Sequence, residues 1–549
     1  MRYTIGCALG NRSTVQECLD YFQNHTQIEV DTETTGDDPH KDKIVSLQIG
    51  DYKNQWFIDC RPGRTNILLF KELLESKLCI IHNAKFDYKM LKKVGIIIEH
   101  IFDTMLAECV LACGHDKWGY SLKALYKRYL GLELSKEEQT GFLKTKDEEF
   151  TLSQIDYACE DVTNLGNIKA HQEMKLAKFN LTYCANIENQ AVKALADIEY
   201  NGIYLDSNAW ITMTNGYKAR LKELEIELDS LIMQDPALTK FRNPGKQTNL
   251  FGEYERPTKV NFGSPKQVLE ICHALGEKVE NTNEREIGKL AKLDAETSKV
   301  ISAKHPFFGL LLQNREVSKI VSTYGLSFLD NINPITGRIH THIWQVLNTG
   351  RVSSGDPNLQ NLPAKNIFRN CFKARPGYKW VSIDYSGQEL RIMADGSGEQ
   401  GFIDVLNRGD DLHCYAGEMM FKKPIDKKKD KALRDKAKTI NFGKPYGMGV
   451  DKLADTLSIP KEEAAELFKV YGEAFPTLNK WLEDQGKLAI TNHYSVTFGP
   501  SFRRRWYPEM KEAVEKRKNV KKGDKTIWRE IMMAEGQTHR NGMNAPIQG

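Results

Sequence analysis

At 549 residues the chain has room for about three to five domains, and its 40% hydrophobic and 27% charged composition is that of a globular protein. No apolar run approaches the ~18 residues of a membrane span, which excludes a membrane-spanning helix. The net charge of +4 is too small on its own to name a partner, and the eleven cysteines form no CxxC pair, which argues against a disulfide framework or a zinc ribbon. Together these features predict a soluble chain of the reducing cytoplasm, without a membrane partner.

In chain order, the first ~185 residues alternate strand-like and helix-like stretches, as in an α/β domain. "QIEVDTET" alternates, with Ile28 and Val30 on one face and Asp31 and Glu33 on the other. "KIVSLQIGD" repeats the strand pattern, and "LCIIHNAKFDYKML" reads as buried strand, turn and helix start. From 186 to 330 the text becomes helical and charged ("YKARLKELEIELDSLIMQ"), interrupted by the polar loop "FRNPGKQTNLFGEYERPTK". Turn-rich segments then lead to an apolar strand, "KWVSIDYSG", and helical patterns run to the last residue.

The charge is unevenly spread. Residues 501–530 hold eleven Lys/Arg against five Asp/Glu, including Arg503, Arg504 and Arg505, and a second basic run spans 421–438. Such clusters suit phosphate backbones, although each also fits a solvated charged face. His340 and His342 form an HxH without a supporting Cys/His cluster, so they read as structural or phosphate-facing.

Two groups of residues point to chemistry. Asp31 and Glu33 lie two apart on a strand and project from one face. Asp87 follows the strand-turn, and Tyr157 and Asp161 sit one helical turn apart. Four carboxylates and a phenol that converge suit two Mg²⁺ ions about 4 Å apart, an arrangement that hydrolyses phosphodiesters. Further on, Arg434, Lys438, Phe442 and Tyr446 recur every four residues, a helical stripe of two cations and two rings. The cations suit a triphosphate and the rings a base or sugar; the same spacing also fits an amphipathic helix with its rings in the core. Arg540, Asn544 and Gln548 share one face of a terminal helix.

Singly, DxE and YxxxD are common surface patterns. Their order here, with "VDTETTG", "HNAKFD", "FDTMLA" and "YACED", resembles the 3′→5′ exonuclease domains attached to DNA polymerases. "DYSGQELR" upstream of "RDKAKTINFGKPYG" resembles motifs A and B of family A DNA polymerases, and the likeness extends through "LADIEYNGIYLD", "NFGSPKQVLE", "TGRVSSGDPNLQNLP" and "GDDLHCYAGEMMF". The resemblance implies a ribonuclease H-like exonuclease domain (1–185) followed by a right-hand polymerase: thumb 186–330, first part of the palm 331–400, fingers 401–500, and a return ending in a DNA-contacting helix (501–549).

By the same resemblance Asp31, Glu33, Asp87 and Asp161 ligate two metals and Tyr157 orients the attacking water. Asp384, helped by the Tyr385 carbonyl, holds the metals of synthesis, with Mg²⁺ expected and Mn²⁺ as its substitute. Glu389 excludes a 2′-hydroxyl; His413, Arg434 and Lys438 grip the dNTP triphosphate, Lys438 also serving as a proton donor to pyrophosphate. Phe442 and Tyr446 shape the nucleoside pocket. Arg351, Arg540, Asn544 and Gln548 contact primer–template DNA, and single-stranded 3′ ends are the substrate of the exonuclease. Gly387 and Gln388 depart from the polar-then-aliphatic pair usual inside motif A.

No His-Asp-Glu tripeptide, the third motif of the family, occurs in these 549 residues; the nearest match is His115–Asp116–Lys117. The expectation is therefore that this is the N-terminal part of a split, intron- or intein-interrupted or truncated polymerase of phage type. A C-terminal fragment of roughly 100–150 residues would then complete its palm. Two other readings are an exonuclease whose polymerase-derived region only grips DNA, and a non-enzymatic primer–template scaffold.

Overall fold

The computed structural model describes the chain except for residues 116, 135–147, 244–256, 293–299, 301, 302, 458, 520–524 and 549. Most of the expected 241–259 loop, and the aspartate of His115–Asp116–Lys117, therefore lie outside the described residues.

The N-terminal part is a six-stranded mixed sheet of β1 (Arg2–Ile5), β2 (Gln27–Thr34), β3 (Ile44–Gly50), β4 (Gln55–Asp59), β5 (Leu78–Ile81) and β6 (His100–Asp103), in the order β1-β4-β3-β2-β5-β6. β3 runs antiparallel to β2 and β4, and the other neighbours are parallel. Its helices are α1 (Val15–Phe22), α2 (Ala84–Lys93), α3 (Thr104–Leu111), α4 (Leu152–Asp161), α5 (Leu165–Lys178) and α6 (Thr182–Asn201). The alternation read in "QIEVDTET" is realised: Ile28 and Val30 are buried in the core and Asp31 and Glu33 are half-buried on the other side. Val192 and Ala196 of α6 join this core, so α6 runs across the 185/186 boundary expected from the text.

Beyond it, β7 (Ile203–Tyr204) leads into the long helix α7 (Ser207–Gln234), which packs on α8 (Pro306–Thr323). Their apolar positions, among them Leu228, Ile232, Phe307, Phe308 and Leu311, form a second core. β7 pairs with β8 (Arg338–Ile339), and β9 (His342–Trp344) with β10 (Ser353–Gly355). A third core unites α9 (Gln388–Ser397), α10 (Leu412–Phe421), α11 (Lys431–Gly443) and α12 (Pro476–Asn492) with the final helix α13 (Lys525–Gln548). Between α12 and α13 stands the hairpin β11 (Tyr494–Val496) and β12 (Arg504–Trp506).

Three expectations need correction. "KWVSIDYSG" forms no strand: residues 379–385 are irregular, with Val381 at 73% and Ile383 at 88% exposure. A strand exists only by hydrogen bonding to a neighbour, and among the described residues none pairs with this segment. The four-residue stripe does not continue to Tyr446 as helix, because α11 ends at Gly443 and Pro445 carries no N–H to extend it. The run Arg503–Arg505 does not face outward as a phosphate patch. Arg503 is buried in an ion pair with Glu188 of α6. Arg504 lies over Phe179, Tyr494 and Trp506, and Arg505 over Tyr507. His340 and His342 are both set against Glu199, the ring of His340 2.8 Å from its carbonyl.

Candidate active sites

Strand β2, the first turn of α2 and the last turn of α4 deliver the N-terminal acidic group. Carboxylate oxygens of Asp31, Glu33 and Asp161 lie within 4.8 Å of one another. Asp87 belongs beside them rather than inside that triad: it accepts a 2.6 Å hydrogen bond from Thr32 Oγ1, between the two β2 acids. The start of α2 is fixed by Asp103, whose carboxylate accepts from Asn83 N–H at 3.1 Å and Ala84 N–H at 2.8 Å while also capping α3.

Burial, and then the charges of Asp87, Asp161 and Glu33, push the Asp31 carboxyl well above its ordinary range. Glu33 is pushed up to about 8 by burial and by Asp161 and Asp87, and Asp87 to about 7, chiefly by its burial. Tyr157 is raised by burial and then by the Asp161, Glu33 and Asp31 carboxylates, which places its phenol at the same cluster. Like charges held this close resist ionisation unless a cation joins them. An all-oxygen, all-anionic donor set fits a hard divalent ion such as Mg²⁺. Thr32 and Asp103 escaped the sequence reading; an aspartate just ahead of a helical run, as in "FDTMLA", was the available signal for Asp103.

The second site lies among α9, α11 and α13. Glu389 accepts from Arg351 Nη2 at 2.7 Å, from Tyr446 OH at 3.0 Å and from Gln548 Nε2 at 2.6 Å. Gln548 Nε2 also donates to Tyr446 OH, and Arg540 packs its stem against Gly447, so this face of α13 meets the turn that follows α11. Lys438, Phe442 and Tyr446 line one cavity of about 700 Å³. Tyr446 thus reaches the stripe's pocket from the turn rather than from the helix.

Arg434 is held by Asp411, to which it donates from both Nε (3.2 Å) and Nη2 (2.7 Å). Burial opposes ionisation of Asp411, but this pair and the Cys414 N–H outweigh it and hold the carboxyl far below its usual range. His413 lies against Phe442 and Asn441; burial, with the Arg434 and Lys438 cations acting against Asp411, pushes it down to about 4. Asp411 and Asn441 were not singled out in the sequence, though "GDDLH" places an aspartate at a helix start. Asp384 and Tyr385 lie on the exposed, irregular 379–385 segment. Gly387 adopts φ +61° where that segment enters α9, a conformation that favours glycine and accounts for its place in the motif.

The profile of "DNA polymerase family A" matches residues 246–549, more than half of the chain. The chain belongs to DNA polymerase family A. The "3'-5' exonuclease" profile matches residues 10–176, which contain Asp31, Glu33, Asp87, Tyr157 and Asp161. Among curated relatives, "DNA polymerase I, thermostable" of Thermus aquaticus is 33% identical over 371 residues, 66% of this chain and 39% of its own. "DNA polymerase I" of Rhizobium leguminosarum is 28% identical over 502 residues, 89% of this chain and 45% of its own. The chain thus spans less than half the length of these relatives. The solved "POL domain of Pol1 from M. smegmatis complex with DNA primer-template and dNTP" superposes over 100% of this chain and 86% of its own, with a TM-score of 0.76 at 23% identity, and shares its fold. Among the described residues no helix is long and apolar enough to cross a membrane.

Proposed function

We propose that this family A chain excises nucleotides from single-stranded DNA 3′ ends and takes part in template-directed DNA synthesis from dNTPs on a primer–template. The observation that carries the excision half is the Asp31–Glu33–Asp161 triad, with Asp87 tied to Thr32 beside it. These four carboxylates would hold two divalent ions, Mg²⁺ in the first instance; bound there, the ions supply an activated water and stabilise the leaving oxygen. Tyr157, with its phenol kept protonated among the carboxylates, orients the water by donating its O–H.

For synthesis, Lys438 and the Asp411-braced Arg434 take the triphosphate, His413 and Phe442 flank it, and Tyr446 with Glu389 sets the sugar side. The work is positioning and charge compensation. Among the described residues the exonuclease triad is the only group of three ligands close enough to share an ion, and Asp384 belongs to no such group. Synthesis calls for a second carboxylate beside Asp384 and for neighbours to pair residues 379–385, both of which a palm segment with a His-Asp-Glu turn would bring.

The exposure of 379–385 favours a second reading for the chain acting alone, excision without extension. Primer extension with and without an added palm segment separates the two. Extension restored by the segment supports a polymerase, and excision with no extension under either condition supports the exonuclease reading. Alanine at both Asp31 and Glu33 tests excision itself, and persistent digestion by that variant would refute the metal assignment.

A further inference from the structure

We propose that Gln48 is a positioning residue of the exonuclease centre, holding the Asp31 carboxylate from the neighbouring strand. This rests on the reading of Asp31, Glu33 and Asp161 as a cation site. The register of β2 and β3 sets Gln48 opposite Asp31 and Ser46 opposite Glu33. Directly opposed residues of antiparallel strands share a face, their Cβ atoms roughly 4.5–5.5 Å apart. Gln48 and Ser46 therefore stand on the carboxylate face, beneath α4 and α5. The neighbouring pair on that face confirms the assignment: Glu29 accepts from Leu165 N–H at the start of α5, and its partner Gly50 lies against Val162.

Strand β3 is buried along its whole length, and both Gln48 and Ser46 are fully buried, so a glutamine here needs partners at both ends of its amide. Nε2 donates to Ser46 Oγ at 2.8 Å, and Oε1 is left without a hydrogen-bond partner. The two ends of an amide have nearly the same shape, so the group also fits turned by half a revolution. Oε1 then accepts from the Ser46 hydroxyl, and Nε2 takes the unpartnered end of the amide, on the residue that stands opposite Asp31. That orientation gives the Ser46 hydroxyl an acceptor and offers the Asp31 carboxylate a donor from the opposed position on β3, as Thr32 donates to Asp87. Partners of this kind fix the direction of a ligating carboxylate, and their loss weakens metal binding without touching the ligand itself.

The test uses the whole chain, with Mn²⁺ alone as the probe, and follows its binding by titration calorimetry and by its spin-resonance signal. Gln48→Met keeps the volume and removes the amide. It is expected to weaken Mn²⁺ binding about tenfold and to lower kcat for single-strand digestion, with KM for the strand and the melting temperature unchanged. Ser46→Ala is expected to shift both quantities in the same direction by less. Wild-type Mn²⁺ affinity and kcat in Gln48→Met overturn the proposal; if that variant does not fold, wild-type values in Ser46→Ala overturn it. A wild-type chain that binds no Mn²⁺ refutes the excision reading itself, and this inference with it.

Discussion

Gln548 donates its amide N–H to the Glu389 carboxylate across 2.6 Å, which ties the final helix to the first turn of α9. The same carboxylate takes the Tyr446 hydroxyl and the Arg351 guanidinium, so four segments far apart in sequence are fixed by one side chain. Glu389→Ala removes the hub, on the side of the pocket proposed to take the sugar. It is expected to raise ribonucleotide incorporation relative to deoxynucleotide by about tenfold, or ~1.4 kcal/mol, in any assembly that extends primers. Steady-state incorporation of matched dNTP and rNTP measures it.

Asp411→Ala removes two things at once, the cap of α10 and the brace of Arg434. The lost cap should cost about 1 kcal/mol of stability. The unbraced guanidinium should weaken dNTP binding by roughly tenfold, since a charge-assisted bidentate pair then has to be formed by the nucleotide alone. Denaturant unfolding and dNTP titration read the two effects separately.

Arg503→Lys or →Gln is expected to leave the salt dependence of DNA binding unchanged, because Arg503 serves Glu188 and not a phosphate. Glu188→Ala leaves that guanidinium buried without its partner and should cost about 3–5 kcal/mol, while Glu188→Leu with Arg503→Met should be nearly neutral. Urea denaturation of Glu188→Ala and of the double variant checks the order.

In the absence of divalent ions the acidic cluster opposes folding. The Glu33 carboxyl is raised from 4.5 to about 8, so the folded chain keeps its proton where the unfolded chain has lost it. Its contribution to stability is then full below pH 4.5 and is lost as pH rises through about 8. Added Mg²⁺ should therefore raise the melting temperature more at pH 8 than at pH 5. Thermal melts with EDTA and with Mg²⁺ at both pH values measure the difference.

The exonuclease half was legible because its chemistry is local in sequence: the alternation of β2 exposes Asp31 and Glu33 together, and one helical turn joins Tyr157 to Asp161. What could not be read depended on partners distant in the chain. "KWVSID" has strand composition, but pairing is a property of neighbours, and this segment has none among the described residues. Arg503 read as part of a surface basic run, phosphate-facing or solvated, because nothing nearby in sequence hints at Glu188, 315 residues away. Tyr446 kept its place at the pocket although Pro445 broke the helix that was to carry it, since the turn after α11 leads the ring back to the same cavity.

The central claim is tested most directly by incubating the purified chain with a single-stranded oligonucleotide labelled at its 5′ end, with and without Mg²⁺. The account predicts stepwise shortening from the 3′ end that requires Mg²⁺ and disappears when Asp31 and Glu33 are both alanine. Shortening that survives that double substitution, or that proceeds in EDTA, would contradict it.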